Sequence, residues 1–405
     1  MQIAEIDSPP QLRNWSTMTS NARENFFTKP VNLYYMLLVS TASLSVLGVV
    51  MVFSASSIYS LESKGATYAI ALRQIVFLVI SIPMAWALSR LSLARWKIIA
   101  RSGVLISIAL LVAVQVIGKS VNGNRNWISL GFVDVQPSEI AKFLMILWAG
   151  FILAKRERIG AVQTNVITLI APAFALCILL ILIGRDLGTA SVLAFILAGL
   201  LWVSGVRLGV FAGLLTVGFA GIAALILAAP YRMQRFAVFL NPFAEDQYKN
   251  FGWQPAHSLL GLASGGLFGV GLGASRQKWG NLSQAHTDFI FSVIGEELGL
   301  FGTLSTLMLL SVLLFSIFKI ALRAKDPMVR YVSSGIGCWI AIQTILNIGS
   351  TLSVIPVVGV TLPLVSYGGS ALIATYMGIG FVIGAARRDP AIFEELKKSE
   401  FTWLR

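Results

Sequence analysis

A chain of 405 residues in which apolar types make up 56% and charged types only 12% carries too little polar surface for a water-soluble particle, where about 25% charge is usual. With a mean hydropathy of +0.79, a soluble enzyme and a disordered protein are both excluded. The formal charge of +13 reads, in so apolar a chain, as basic residues holding loops at the cytoplasmic face, with no need for nucleic acid to explain it.

Residues 1–32 are polar, mixed in charge and interrupted by Pro9, Pro10 and Pro30. They lack the apolar core of a signal peptide and read as a cytoplasmic tail. A membrane-crossing helix needs about 20 mainly apolar residues. Runs of that kind fall at 33–54, 73–90, 98–117, 138–154, 164–183, 187–204, 208–229, 299–322, 331–353 and 364–385. They predict an all-α polytopic membrane protein of about ten transmembrane helices within 33–386. A large extracytoplasmic loop at 230–290 separates helices seven and eight, and 387–405 forms a second cytoplasmic tail. With both termini inside, 20 of the 31 basic residues fall on the inner side, as the positive-inside rule requires. His257–Ser275 is apolar but contains Gly261, Gly265, Gly266, Gly269, Gly271 and Gly273, a poor composition for a helix. Counting it as an eleventh span would also move Arg323, Lys325, Arg387 and Arg388 outside, so it reads as a re-entrant or surface-lying piece of the large loop. Cys177 and Cys338 sit in apolar runs and read as packing, with no disulfide or metal site indicated. No internal repeat or matched pair of broken helices is visible, which weighs against a secondary transporter.

The polar clusters gather at the outer helix ends. Glu139 and Lys142 open the fourth helix at i, i+3 spacing and share a face; they read either as a snorkelling interfacial pair or as the charged lining of an outward-facing cavity. Arg185 and Asp186 form a tight connection that reads either as a loop whose two charges neutralise each other or as a functional charged cluster at the outer helix ends. Asn122–Trp127 is rich in turn residues, with Trp127 as an interfacial anchor. Arg276 and Lys278 precede His286-Thr287-Asp288. Asp288 stands where a carboxylate either caps the following helix or, beside cations at a partly dry boundary, serves as a general base. His286 reads as a hydrogen-bonding residue before a second acid or base. The ninth helix carries a polar stripe, Gln343, Asn347, Ser350 and Thr351, suited to bonding a neighbouring helix. Broken backbone around Ser366–Ser370 reads as a cavity wall.

At these residues the chain resembles the SEDS family, the FtsW/RodA/SpoVE-type peptidoglycan polymerases. The stretches that carry the likeness are Gln136–Lys142, Asp186–Ala190, Asn241–Phe243, His257–Gly273, His286–Leu300 and Leu362–Ser370, in the expected order. The resemblance implies a glycosyltransferase of the bacterial cytoplasmic membrane that polymerises lipid II into β-1,4 glycan. Asp288 matches the family's essential aspartate, implied as the general base, and Glu139 and Lys142 match its charged pair. Arg185 and Lys278 are assigned to the diphosphate from charge and position; Asp186, Arg276, His286 and Ser366 complete the expected substrate-binding set. A divalent cation, Mg or Mn, would help neutralise the leaving group, but no protein ligand set for one stands out. The cytoplasmic head and the full His286–Glu297 pattern lean towards the division branch (FtsW) over the elongation branch (RodA). That lean implies a septal location and, as partners, lipid II, undecaprenyl-linked glycan, membrane lipid, a cognate class B penicillin-binding transpeptidase of the FtsI type and other divisome proteins. The competing readings are a lipid II flippase and a non-enzymatic scaffold that recruits the transpeptidase. Two stretches depart from the family: Leu282-Ser283-Gln284 stands where many members read Leu-Pro-Glu, and Arg185 replaces a proline.

Overall fold

The computed structural model describes residues 29–402, apart from 122, 130, 132, 160–163, 228–232, 234–237 and 239–240. The expected N-terminal tail therefore lies outside the described residues up to position 28. Among the described residues ten long helices occupy the ten expected positions: α1 (Pro30–Lys64), α2 (Ala69–Ser89), α3 (Leu93–Ile117), α4 (Pro137–Ile159), α5 (Thr164–Ile183), α6 (Leu187–Val203), α7 (Leu208–Leu227), α10 (Ile290–Arg323), α11 (Pro327–Thr351) and α12 (Gly369–Arg387). Among the described residues eight of them are long and apolar enough to cross a membrane; α6, of 17 residues, and α7, of 20, complete the set. Side chains such as Leu105, Val217 and Met308 remain exposed on the outside of the bundle, where a bilayer takes the place of water.

The centre of the bundle is α4, α11 and α12. Their spans are 78, 72 and 72% buried, against 28% for α2, α3 and α5. α4 packs against α3 and α11, α6 against α11, and α2 against α12. Ion pairs tie one end together: Arg158 to Asp326 at 2.7 Å, Lys97 to Asp326 at 4.0 Å, Arg330 to Glu157 at 2.6 Å and Arg323 to Asp389 at 3.0 Å. These are the loops that the basic residues assign to the cytoplasm, so packing and charge give the same alternation. The expected C-terminal tail contains a further helix, α13 (Pro390–Thr402), which packs against α1 and buries Ile392.

Three features of the outer end differ from the sequence reading. A small antiparallel sheet, β1 (Lys119–Val121), β2 (Asn124–Ser129) and β3 (Asp134–Val135), ordered 1-2-3, fills the connection from α3 to α4. Trp127 lies on β2. The large loop holds a single-turn helix α8 (Glu245–Tyr248) and a 12-residue α9 (Trp253–Ser264), so the first part of the stretch read as too glycine-rich for a helix, as far as Ser264, is helical. It is too short to span, and the glycines that follow it form turns. Finally, α10 is broken at Gly299, whose φ of 68° and ψ of −160° lie in a region open only to glycine. The expected eighth span began at this residue.

The glycine turns and that break make one seam. Val270 and Gly271 donate their N–H groups to the carbonyls of Glu296 and Glu297, and Leu300 and Phe301 donate to Gly266 and Leu267. Backbone meets backbone closely enough that a Cβ on Gly269 would lie 2.1 Å from the Glu297 carbonyl oxygen, and one on Gly299 would lie 2.3 Å from the Gly269 nitrogen.

A candidate active site at the outer end of the bundle

Asp288 sits in the turn that precedes α10, and its backbone is held from two sides. The Asn347 Nδ2 group of α11 donates to the Asp288 carbonyl at 2.8 Å and to the Val360 carbonyl at 2.7 Å. The Ser366 hydroxyl donates to the Thr287 carbonyl at 2.6 Å and accepts the Leu362 N–H at 2.8 Å. The Tyr367 N–H donates to the His286 carbonyl at 2.9 Å. Within the turn, Gln284 takes a positive φ of 60° and its carbonyl accepts the N–H groups of Thr287 and Phe289. The polar stripe on α11 thus holds loops more than it bonds a neighbouring helix, and Ser366 positions the turn.

The Asp288 carboxylate itself is uncommitted. It does not cap α10, where Phe289 occupies the N-cap without a side-chain bond. Among the described residues it has no hydrogen-bond or ion-pair partner. A Cβ on Gly359 would stand 3.6 Å from its Oδ2, so the absence of a side chain at 359 leaves room beside it. Burial pushes the Asp288 carboxyl from 3.8 up to about 6, and the charge of Asp186 pushes it the same way.

Asp186 is committed. Its Oδ1 accepts the Thr189 N–H at 2.9 Å as the N-cap of α6, and its Oδ2 accepts from Thr189 Oγ1 at 2.8 Å and from Asn126 and Gln136 at 3.0 Å each. Among the described residues it makes no ion pair with Arg185, so of the two readings the neutralised loop is not formed. Arg185 instead ends α5 in the left-handed region at φ 63°, in a Schellman closure where Arg185 N–H bonds Leu182 and Asp186 N–H bonds Ile181. Its side chain is exposed on the outer surface.

Glu139 and Lys142 pair at 2.8 Å as the spacing predicts. Lys142 is only 1% exposed, which removes the snorkelling alternative: the pair lies in the core, with Lys142 Nζ 5.3 Å from the centroid of the Trp339 ring on α11. Lys278 departs from the sequence reading. Its ammonium is buried and paired with Glu297 at 3.4 Å, with further bonds to Ser54 of α1 and to the Gly273 carbonyl. Glu297 also accepts from the Ser54 hydroxyl at 2.6 Å and the Ser275 N–H at 3.3 Å, while Glu296 accepts the Arg276 N–H at 2.8 Å. These two acids clamp the 273–278 segment to α10, and Lys278 is engaged in fastening that segment. Arg276 keeps its side chain exposed.

His286 lies between the rings of Tyr59 at 5.4 Å and Tyr367 at 5.7 Å. Burial holds its imidazole down at about 4, so it is neutral at pH 7. The charge of Arg73, at the outer end of α2, acts on Tyr367 and adds a cation that sequence reasoning missed; Ser54, Glu296 and Glu297 were likewise missed as partners, because their contacts join distant segments. Among the described residues no three His, Cys, Asp or Glu side chains converge to hold a metal ion, and Asp186 has its oxygens engaged.

The fold and this site define a polytopic membrane protein with an unpaired carboxylate, among the described residues, at the outer end of its bundle. The family profile described as cell cycle protein (FtsW, RodA, SpoVE) matches residues 35–390, and the chain belongs to that family. It is 39% identical over 357 residues to the probable peptidoglycan glycosyltransferase FtsW of Coxiella burnetii, covering 86% of this chain and 95% of that one. To stage V sporulation protein E of Bacillus subtilis it is 36% identical over 363 residues, covering 89% and 98%. The rod shape determining protein RodA of Thermus thermophilus superposes with a TM-score of 0.66 at 30% identity, covering 87% of this chain and 96% of that one. A chain from a peptidoglycan synthase complex that coordinates polymerisation and crosslinking gives 0.70 at 30%, covering 88% and 98%.

Proposed function

We propose that this membrane protein is a peptidoglycan glycosyltransferase that polymerises lipid II into β-1,4 glycan at the outer face of the cytoplasmic membrane, at the division septum. The observation that carries the reading is Asp288: a carboxylate with a fixed backbone, no competing partner and an affinity for protons close to that of an acid–base catalyst. The 4-hydroxyl of the incoming N-acetylglucosamine attacks the anomeric carbon of the growing strand's terminal N-acetylmuramic acid. Asp288 takes the hydroxyl proton, the new C–O bond forms with inversion, and the anomeric C–O bond breaks to release undecaprenyl diphosphate with its electron pair. The exposed side chains of Arg185 and Arg276 support a role for these two cations in meeting that diphosphate, and Lys278 holds the loop that presents Arg276. Membership of the FtsW/RodA/SpoVE family supports the reaction, and the likeness to a chain from a complex that coordinates polymerisation with crosslinking supports a class B transpeptidase as partner.

The test is polymerisation of purified lipid II by the full chain, with and without the transpeptidase. Asp288→Ala abolishes glycan while folded yield and transpeptidase binding persist. Normal polymer from that variant refutes the assignment. Lipid II movement across vesicles without polymer identifies a flippase, and growth supported by Asp288→Ala identifies a scaffold.

A further inference from the structure

A concavity that the acid–base chemistry leaves unused opens near the turn that carries Asp288. It encloses about 360 Å³, the size at which a pocket takes a small ligand. It opens between the segment leading into α9 and the end of α11. Phe251, Trp253 and Gln254 line it from the α9 side and Ser353 and Val357 from the other, together with Ser283. The surfaces are fixed: the Trp253 ring stacks on His257 at a centroid distance of 4.0 Å, its Nε1 donates to the Asn281 carbonyl, and the Gln254 amide donates to the Ser283 hydroxyl. Among the described residues no carboxylate lines the pocket, and Lys249 is its one charge.

This lining matches a neutral sugar better than a phosphate or a peptide terminus. A pyranose has an apolar C–H face, which an aromatic ring covers, and a rim of hydroxyl and acetamide groups, which amides and hydroxyls meet. Phe251 is 39% exposed, so aromatic surface is available. The pocket is also coupled to the reacting carboxylate. Ser283 begins the turn that ends at Asp288, and Val357 stands two residues from Gly359, against which the Asp288 Oδ2 lies. Two residues of chain reach at most about 7 Å, so the pocket edge lies within one or two sugar rings of the reaction.

We propose that this pocket is a saccharide subsite that holds the N-acetylhexosamine units of the growing glycan next to the reacting bond. The proposal rests on the polymerase reading of Asp288 and adds to it a grip on the product strand. Such a grip sets how many additions occur before release, separately from the rate of each.

The experiment compares the wild-type full chain, in complex with its transpeptidase, with Phe251→Ala/Gln254→Ala. The measurements are strand length, initial lipid II consumption and inhibition by chitotetraose. The expected result is strands at least threefold shorter and an inhibitory chitotetraose concentration raised at least fivefold, with strand length falling by a larger factor than initial consumption. Saturation-transfer NMR with chitotetraose reads the same subsite without turnover, so loss of the signal in the double variant supports it even if the polymerase reading fails because the wild type makes no glycan. Unchanged strand length and unchanged inhibition overturn the proposal. So does loss of transpeptidase co-purification at unchanged strand length, which would make the pocket a protein contact. If the double variant fails to fold, Phe251→Ala alone, at an exposed side chain, decides by the same measurements.

Discussion

Asp288→Asn separates the chemical use of the site from its energetic cost. A carboxyl raised from 3.8 to about 6 by burial and by Asp186 holds its proton more tightly in the folded protein than in the unfolded chain. The stability linked to such a group is fully present below pH 3.8 and is lost as pH rises through 6. The difference corresponds to about 3 kcal/mol at pH 7; Asp288 is half-buried, and water access brings the figure to about 1–3 kcal/mol. Asparagine carries no charge, so the variant escapes that cost. It is expected to unfold at higher temperature than the wild type at pH 7.5, with the gap closing as pH falls towards 4. Catalysis runs the other way, because only the ionised carboxylate accepts a proton. Wild-type polymerisation should lose about tenfold per pH unit below 6, and the asparagine variant should be inactive throughout. The assays are thermal unfolding and glycan synthesis across pH 4.5–8 on the same purified samples. A flat rate between pH 5 and 7.5, or an asparagine variant less stable than the wild type at pH 7.5, would refute the reasoning.

Asn347→Ala removes both bonds that hold the Asp288 and Val360 carbonyls. It should cost about 2 kcal/mol of stability and lower kcat at least tenfold with KM little changed; wild-type turnover would show that the turn keeps its shape unaided. Lys142→Met strands the Glu139 carboxylate in the core and should destabilise by about 3–5 kcal/mol. Adding Glu139→Gln should recover most of that loss, and a double variant as unstable as the single one would argue against a buried ion pair.

Much of the bundle was legible because lipid-spanning helices announce themselves as long apolar runs. The fourth-helix pair was legible because i, i+3 spacing fixes a shared face before any tertiary contact forms. Even the break at Gly299 fell where the eighth span was expected to begin. What escaped were contacts between distant segments. Lys278 looked like a free cation because nothing in its neighbourhood reveals that Ser54, some 220 residues earlier, and Glu297 converge on its ammonium. The β1–β3 sheet escaped because its strands are short and polar, without the alternation that marks a half-buried strand. Arg185 and Asp186 looked like a pair because they are neighbours, yet the helix closure sends one side chain out and holds the other as a cap. Asp288 was legible as a candidate from its charged surroundings, but that it is left without a partner is a property of the folded turn.

The glycine seam between the outer loop and the broken α10 also bears on how mutational maps of this protein should be interpreted. A residue-by-residue substitution scan ranks positions by intolerance. Gly269 and Gly299 would score beside Asp288, although neither supplies a functional group. Their intolerance would measure shape: each is a place where only the absence of a side chain lets two stretches of main chain touch. Recording folded yield together with turnover sorts the two kinds. Seam variants lose protein and activity in step, whereas Asp288 variants keep the protein and lose only the reaction.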